Sequence, residues 1–125
     1  MRIWDLPPHI LCRKHLLGEH RELHAIWSII TRNKKGYSKH PETLRWVGKL
    51  QALYLRHESL VEEMNKRGYK HKSILDESIA NGSAVQTSFL ESQESQIKWL
   101  KSKKCHCLLE AEGAPKNQLV MVGEY

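Results

Sequence analysis

The sequence predicts an all-α fold, a single compact domain of three main helices with an extended N-terminal arm. Two long stretches carry apolar residues at three- and four-residue steps, and Pro7-Pro8, Pro41 and Gly68 punctuate them as helix starts and stops. The length of 125 residues suits one domain spanning 1–125. A composition 40% hydrophobic and 27% charged is ordinary for a globular chain that buries its own core. No apolar run approaches the roughly 18 residues needed to cross a bilayer. The opening Met1-Arg2-Ile3-Trp4-Asp5-Leu6-Pro7-Pro8 lacks the charged-then-apolar order of a secretion signal. A cytoplasmic location without a membrane partner is therefore expected.

The arm should end at Pro7-Pro8, where a first helix begins and runs to about Arg32-Asn33, with Leu16, Leu23, Trp27 and Ile30 at helical spacing. Gly18 interrupts it at a cost of about 1 kcal/mol relative to alanine. Its missing side chain suggests that another segment, the arm, passes close by. A basic loop, Asn33-Lys34-Lys35-Gly36-Tyr37-Ser38-Lys39, follows. The second helix should start at Pro41 with Glu42 in its first turn and continue to about Arg67. Its apolar face is Val47, Leu50, Tyr54, Val61 and Met64, widened by Trp46, Leu53 and Leu60, and Gly68 is its stop. Residues 69–91 keep no period, and Asn81-Gly82-Ser83 signals a turn. A third helix is expected from about Glu91 to Lys104 with Ile97 and Leu100 inward. Leu119-Val120-Met121-Val122 reads as a short strand or a docked tail.

The net charge of +6 is uneven. Residues 1–75 hold 15 Lys/Arg against 7 Asp/Glu, or +8, and residues 76–125 hold 5 against 7, or −2. A basic body suggests a polyanionic partner. The three cysteines, Cys12, Cys105 and Cys107, are an odd number without a secretion signal, which argues against a disulfide framework. Cys105-His106-Cys107 resembles half a metal site, but a structural zinc needs four ligands, and the second pair would have to come from scattered histidines. The favoured reading is two ordinary thiols near a helix end, with no metal.

The most informative stretch is His15-Leu16-Leu17-Gly18-Glu19-His20-Arg21-Glu22-Leu23-His24. On a helix, positions 15, 19 and 22 share one side. His15, Glu19 and Glu22 are thus expected on one surface, beside Arg21, with Arg2 supplied by the arm. The competing reading is a solvated helix face, on which Glu19 and His15 form a surface pair worth a few tenths of a kcal/mol.

The segment Met1-Arg2-Ile3-Trp4 followed by His15-Leu16-Leu17-Gly18-Glu19-His20-Arg21-Glu22-Leu23 resembles the N-terminal region of the pyrimidine-dimer DNA glycosylases of the phage dimer-specific type. A second block, Arg56-His57-Glu58-Ser59-Leu60-Val61-Glu62-Glu63-Met64-Asn65-Lys66-Arg67-Gly68-Tyr69, resembles that family's second long helix and its closing turn. The likeness is strongest over residues 1–75. It implies a bifunctional glycosylase and AP lyase acting on damaged double-stranded DNA. The N-terminal amine attacks the deoxyribose C1′, the base leaves, an imine forms and β-elimination cuts the strand. On this resemblance Met1 supplies the amine and Glu22 is the assisting glutamate. Arg2 and Arg21 contact phosphate or lesion, and His15 stands near the site. Lys34 and Lys35 in the basic loop are further candidates for phosphate contact.

The chemistry suits these groups. An α-amine titrates near 7.7–8.0, so at neutral pH a useful fraction is already nucleophilic. A nearby carboxylate can shuttle protons and stabilise positive charge on the sugar. In the phage-type pattern the initiator Met is removed and a threonine supplies the amine. Here the bulky Arg2 disfavours removal, so Met1 is expected to be retained. Ala25 stands where that pattern has another phosphate-binding arginine, and His24 is the candidate substitute. The family's aromatic, basic C-terminal segment is unmatched, with Trp99 and its neighbouring lysines the nearest analogue. Trp4 reads as an anchor for the arm and His57 as a helix-surface residue. No cofactor is required, and a monomer is expected. The rival readings are a glycosylase for another lesion and a non-catalytic nucleic-acid-binding module.

Overall fold

A computed structural model describes residues 2–70, 73–103 and 107 of the chain. The fold is all-α, as the periodicity predicts. Among the described residues, four helices follow the arm in order: α1 (Arg13–Thr31), α2 (Pro41–Leu44), α3 (Leu50–Lys66) and α4 (Gln93–Lys101). Short 3-10 turns lie at Pro8–Ile10 and Glu77–Ile79. Among the described residues, no helix is long and apolar enough to cross a membrane.

The core forms where α1 lies along α3. Leu16, Leu23, Ile26 and Trp27 of α1 meet Leu50, Leu53, Leu60 and Met64 of α3, with Leu100 of α4 and the arm residues Ile3, Trp4 and Leu6 closing the same cluster. Each such side chain contributes about 1.5–3 kcal/mol of transfer free energy when fully buried.

Three boundaries depart from the sequence expectation. The prolines begin only a 3-10 turn at Pro8–Ile10, and Leu11 and Cys12 are extended, so α1 starts at Arg13. Arg67 of the α3 C-terminus explains how that turn is held. Its guanidinium donates to the carbonyl of Leu11 at 2.6 Å and, at longer range, to those of Pro8 and His9, while Glu63 pairs with it at 2.8 Å. α1 ends where expected, with Asn33 just beyond it in the left-handed region (φ 54°).

The expected second helix is two helices. His40 accepts from the Glu42 N–H at 3.0 Å and Pro41 opens α2, but the helix stops after Leu44. The chain then tightens into three-residue turns, with the Trp46 and Val47 N–H groups donating to the Thr43 and Leu44 carbonyls at 3.1 and 3.2 Å, and Gly48 at φ 79° ends the run. Arg45 and Trp46 still bond Glu42 as its i+3 and i+4 neighbours. This break exposes Val47, which the periodicity had placed on the apolar face (55% exposed). α4 is shorter than expected at both ends and begins with Ser92 capping the Ser95 N–H at 3.0 Å. Cys105, His106 and the segment Leu119-Val120-Met121-Val122 lie outside the described residues.

The turn at residues 81–83 closes the N-terminus of α3. No side chain caps that helix. Instead, the Gln51 and Ala52 N–H groups donate to the Asn81 and Ser83 carbonyls at 2.9 and 3.0 Å, and the Ser83 N–H donates to the Gly48 carbonyl at 2.9 Å. These bonds satisfy donors that a helix start leaves open. They require Gly82 at φ 82°, so close to its partner that a Cβ there would stand 2.2 Å from the Gly48 oxygen.

Gly18 is different, since an added Cβ would meet only the Arg21 side chain, at 4.0 Å. The expected close passage of the arm at that position does not occur. The two glycines therefore predict opposite outcomes in thermal denaturation. Gly82→Ala should cost at least about 2 kcal/mol, through strain and overlap. Gly18→Ala should gain about 0.5–1 kcal/mol from helix propensity.

Candidate active site

The arm is extended but pairs with no strand among the described residues. Its buried backbone is instead held by side chains from all around it. The Ile3 carbonyl accepts from Arg45 at 3.0 Å. The Trp4 N–H donates to Glu19 of α1 at 3.2 Å. The Asp5 N–H donates to Gln96 of α4 at 2.8 Å, and its carbonyl accepts from Gln93 at 2.6 Å. The Leu6 carbonyl accepts from Arg56 of α3 at 2.9 Å. Trp4 is buried as an anchor.

Two of these side chains form a buried ion pair that joins α1 to α3. Arg56 donates through Nε and Nη2 to the two Glu19 oxygens, at 2.6 and 3.0 Å. The Glu19 side chain has no exposure and that of Arg56 only 16%. Burial raises the pKa of Glu19, against the opposing pull of the Arg56 guanidinium and the Trp4 N–H. The expected surface alignment of His15, Glu19 and Glu22 is thus corrected, because Glu19 faces the interior and pairs with Arg56 rather than His15.

The polar residues of α1 sort by face. His15 packs edge-on to Trp4, with ring centroids 5.8 Å apart, and its Nδ1 lies 3.2 Å from Cys12 Sγ and 3.3 Å from Cys107 Sγ. Burial lowers its pKa, and the charges of Lys103 and Lys14 add to the effect. His24 turns toward α3, with its Nε2 3.2 Å from the Nε2 atoms of both His20 and His57. His57 is fully buried, which overturns its reading as a surface residue.

Arg21 and Glu22 contrast with these neighbours. Arg21 is exposed and Glu22 half-buried, and neither makes a hydrogen bond or ion pair among the described residues. Arg2 lies over the Trp4 ring at 4.7 Å and pairs with Glu91 at 2.8 Å. Lys34 and Lys35 are exposed in the loop after α1. Met1 lies outside the described residues. Trp99 is half-exposed with the Lys103 ammonium 4.9 Å from its ring, so it is not a core residue.

Sequence reasoning missed the arginines that hold the site together. Arg45, with its side chain 4% exposed, joins Asp5, Glu42 and the carbonyls of Ile3 and Ser88. A signal for Arg56 and His57 was present, since both fall within the apolar stripe Leu53–Leu60 of α3.

The family model of the pyrimidine dimer DNA glycosylases matches residues 1–77. No curated protein and no solved structure matches the chain.

The Glu19–Arg56 pair carries a stability prediction. Arg56→Ala strands a buried carboxylate and the Leu6 carbonyl together, and should cost about 3–5 kcal/mol in urea denaturation. Arg56→Lys should recover only part of that, because an ammonium cannot serve both Glu19 oxygens and the carbonyl in one planar fork. An alanine variant within about 0.5 kcal/mol of the parent would contradict the pair's role.

Proposed function

The chain belongs to the pyrimidine dimer DNA glycosylase family, and from that premise we propose that it excises damaged bases from duplex DNA as a glycosylase with AP-lyase activity. The Met1 α-amine is the nucleophile and Glu22 the proton-handling carboxylate. The amine attacks C1′ of the damaged nucleotide and breaks its bond to the base, which leaves with a proton; the C1′–O4′ bond then opens, O4′ taking a proton, and the imine forms. Removal of a C2′ proton then expels the 3′ phosphate by β-elimination.

One observation carries this reading: the Trp4 N–H is bound to Glu19, one helical turn before Glu22. Three residues of chain separate Met1 from Trp4, at most about 10–11 Å of extended backbone. Glu19 and Glu22 are three-residue neighbours on the helix, about 5–6 Å apart at Cβ. Seating the arm on Glu19 supports this reading, because the chain length from Trp4 back to Met1 is enough to span the distance from Glu19 to Glu22.

The Glu22 carboxylate fits the role because no described residue occupies it. It can accept the C2′ proton and offset positive charge developing on the sugar. Arg21 is likewise available for a phosphate. Arg2 reaches a phosphate by exchanging Glu91 for it, both side chains being about one-third exposed (32% and 38%). Lys34 and Lys35 extend the positive surface beyond the end of α1 and add a salt-dependent contribution to binding.

Borohydride trapping on duplex DNA with an abasic site tests the reading. A covalent protein–DNA adduct is expected from the parent chain, and none from a chain extended by one residue before Met1. Glu22→Gln should still bind the duplex while strand cleavage falls by about 100-fold or more. Trapping that survives the extension would remove Met1 as nucleophile, and failure of the parent chain to trap would leave a binding module.

A further inference from the structure

We propose that His20, His24 and His57 form a zinc site that fastens α1 to α3. His20 and His24 are four residues apart on α1 and present their rings on one face, the spacing that helical metal sites use. His57 enters from α3. The Nε2 of His24 lies 3.2 Å from the Nε2 of His20 and 3.2 Å from that of His57. The three ligand atoms lie within 4.8 Å of one another.

Hydrogen bonding alone explains this convergence poorly. A neutral ring nitrogen offers in its plane either one N–H or one lone pair, so His24 Nε2 cannot bond both neighbours at once. A cation at the centre removes the conflict, because all three nitrogens then point lone pairs at it. Tetrahedral zinc with Zn–N bonds near 2.0–2.1 Å sets its nitrogens about 3.3 Å apart, close to the spacing found.

The outer partner is also in place. Glu58 Oε2 lies 2.8 Å from His57 Nδ1. A carboxylate there accepts a hydrogen bond from Nδ1–H and so leaves the lone pair on Nε2, as in carboxylate–histidine–zinc arrangements. Three imidazoles suit zinc and leave a fourth position for water. With three protein ligands the ion ties α1 to α3 while keeping one position open. It replaces the sequence expectation of a metal-free chain and of His24 as a phosphate contact.

A separate observation points to a second zinc, at the start of α1. Cys12 Sγ and Cys107 Sγ lie 3.2 and 3.3 Å from the single His15 Nδ1, which again cannot bond both. A zinc with two thiolates and one imidazole spaces sulfur and nitrogen about 3.5 Å apart. The Cys12 N–H donates to Cys107 Sγ at 3.1 Å, an interaction that favours the thiolate. This ion would tie Cys107 to α1 and assign His15 to a ligand role.

Titration of the full chain with Co²⁺, after chelation and under reductant, tests both sites. About two ions per chain are expected, with a near-ultraviolet thiolate-to-cobalt band. The variant His20→Gln/His24→Gln should keep that band and lose about one ion. The variant Cys12→Ser/Cys107→Ser should lose the band and keep about one ion. Unchanged stoichiometry in the histidine variant overturns the first site. Absence of the band in the parent chain, or its survival in the cysteine variant, overturns the second. Should a variant fail to fold, the parent chain decides. The zinc content of the purified protein and a fall in melting temperature on chelation support the sites, and a zinc-free chain indifferent to added zinc overturns both.

Discussion

An extended segment buried without a strand partner must find other groups for its backbone hydrogen bonds, and the whole arrangement of this molecule follows from that need. Each buried peptide group left unmade would cost about 1–3 kcal/mol. Arg45, Glu19, Gln96, Gln93 and Arg56 answer for residues 3–6 of the arm, and they come from all four helices or their ends. The arm is therefore less a tail laid on a finished bundle than the piece around which the helices are oriented.

Burying those side chains creates a second requirement. A guanidinium or carboxylate out of water needs a charge partner. Glu19 meets Arg56, and Arg45 meets Glu42 and Asp5. The break between α2 and α3 serves a different contact, because Gly48 there takes a left-handed conformation (φ 79°) and its carbonyl receives the Ser83 N–H. Such pairs add little net stability against an apolar core of equal volume, but they hold one register of arm on helix.

This explains what could be read from the sequence and what could not. α1, α3 and α4 were legible because Leu16, Leu23, Trp27, Leu53, Leu60 and Leu100 are apolar at helical steps and are buried. The turn at Asn81-Gly82-Ser83 was legible because its left-handed position demands glycine. The break at residues 45–49 was hidden, since Val47, Leu50 and Tyr54 carry the helical step straight across it. Only tertiary partners, Asp5 and the Ile3 and Ser88 carbonyls, reveal that Arg45 turns inward. Glu19 was hidden for the same reason, because periodicity assigns charged residues to the solvent face. The family resemblance singled out Arg21 and Glu22, but helical spacing alone could not separate Glu19 from Glu22, two glutamates one turn apart with opposite surroundings.

The difference between those two glutamates is the physical basis of the functional reading. A carboxylate locked between a guanidinium and a peptide N–H is poorly suited to passing protons to a substrate, since every lone pair it needs is already engaged. One turn further on, Glu22 has no such partner among the described residues, yet its backbone is fixed on both sides. Glu19 clamps the helix to α3 before it, and the histidines at 20 and 24, flanking it by two residues, clamp the opposite face to His57. A reactive group works best when its own atoms are free and its supporting backbone is not. By that criterion α1 spends Glu19, His20 and His24 on rigidity, and the proposed function assigns chemistry to Glu22 and Arg21, whose side chains have no such partners among the described residues. The zinc fastener belongs on the far face of the helix, where it steadies the carboxylate without competing for it.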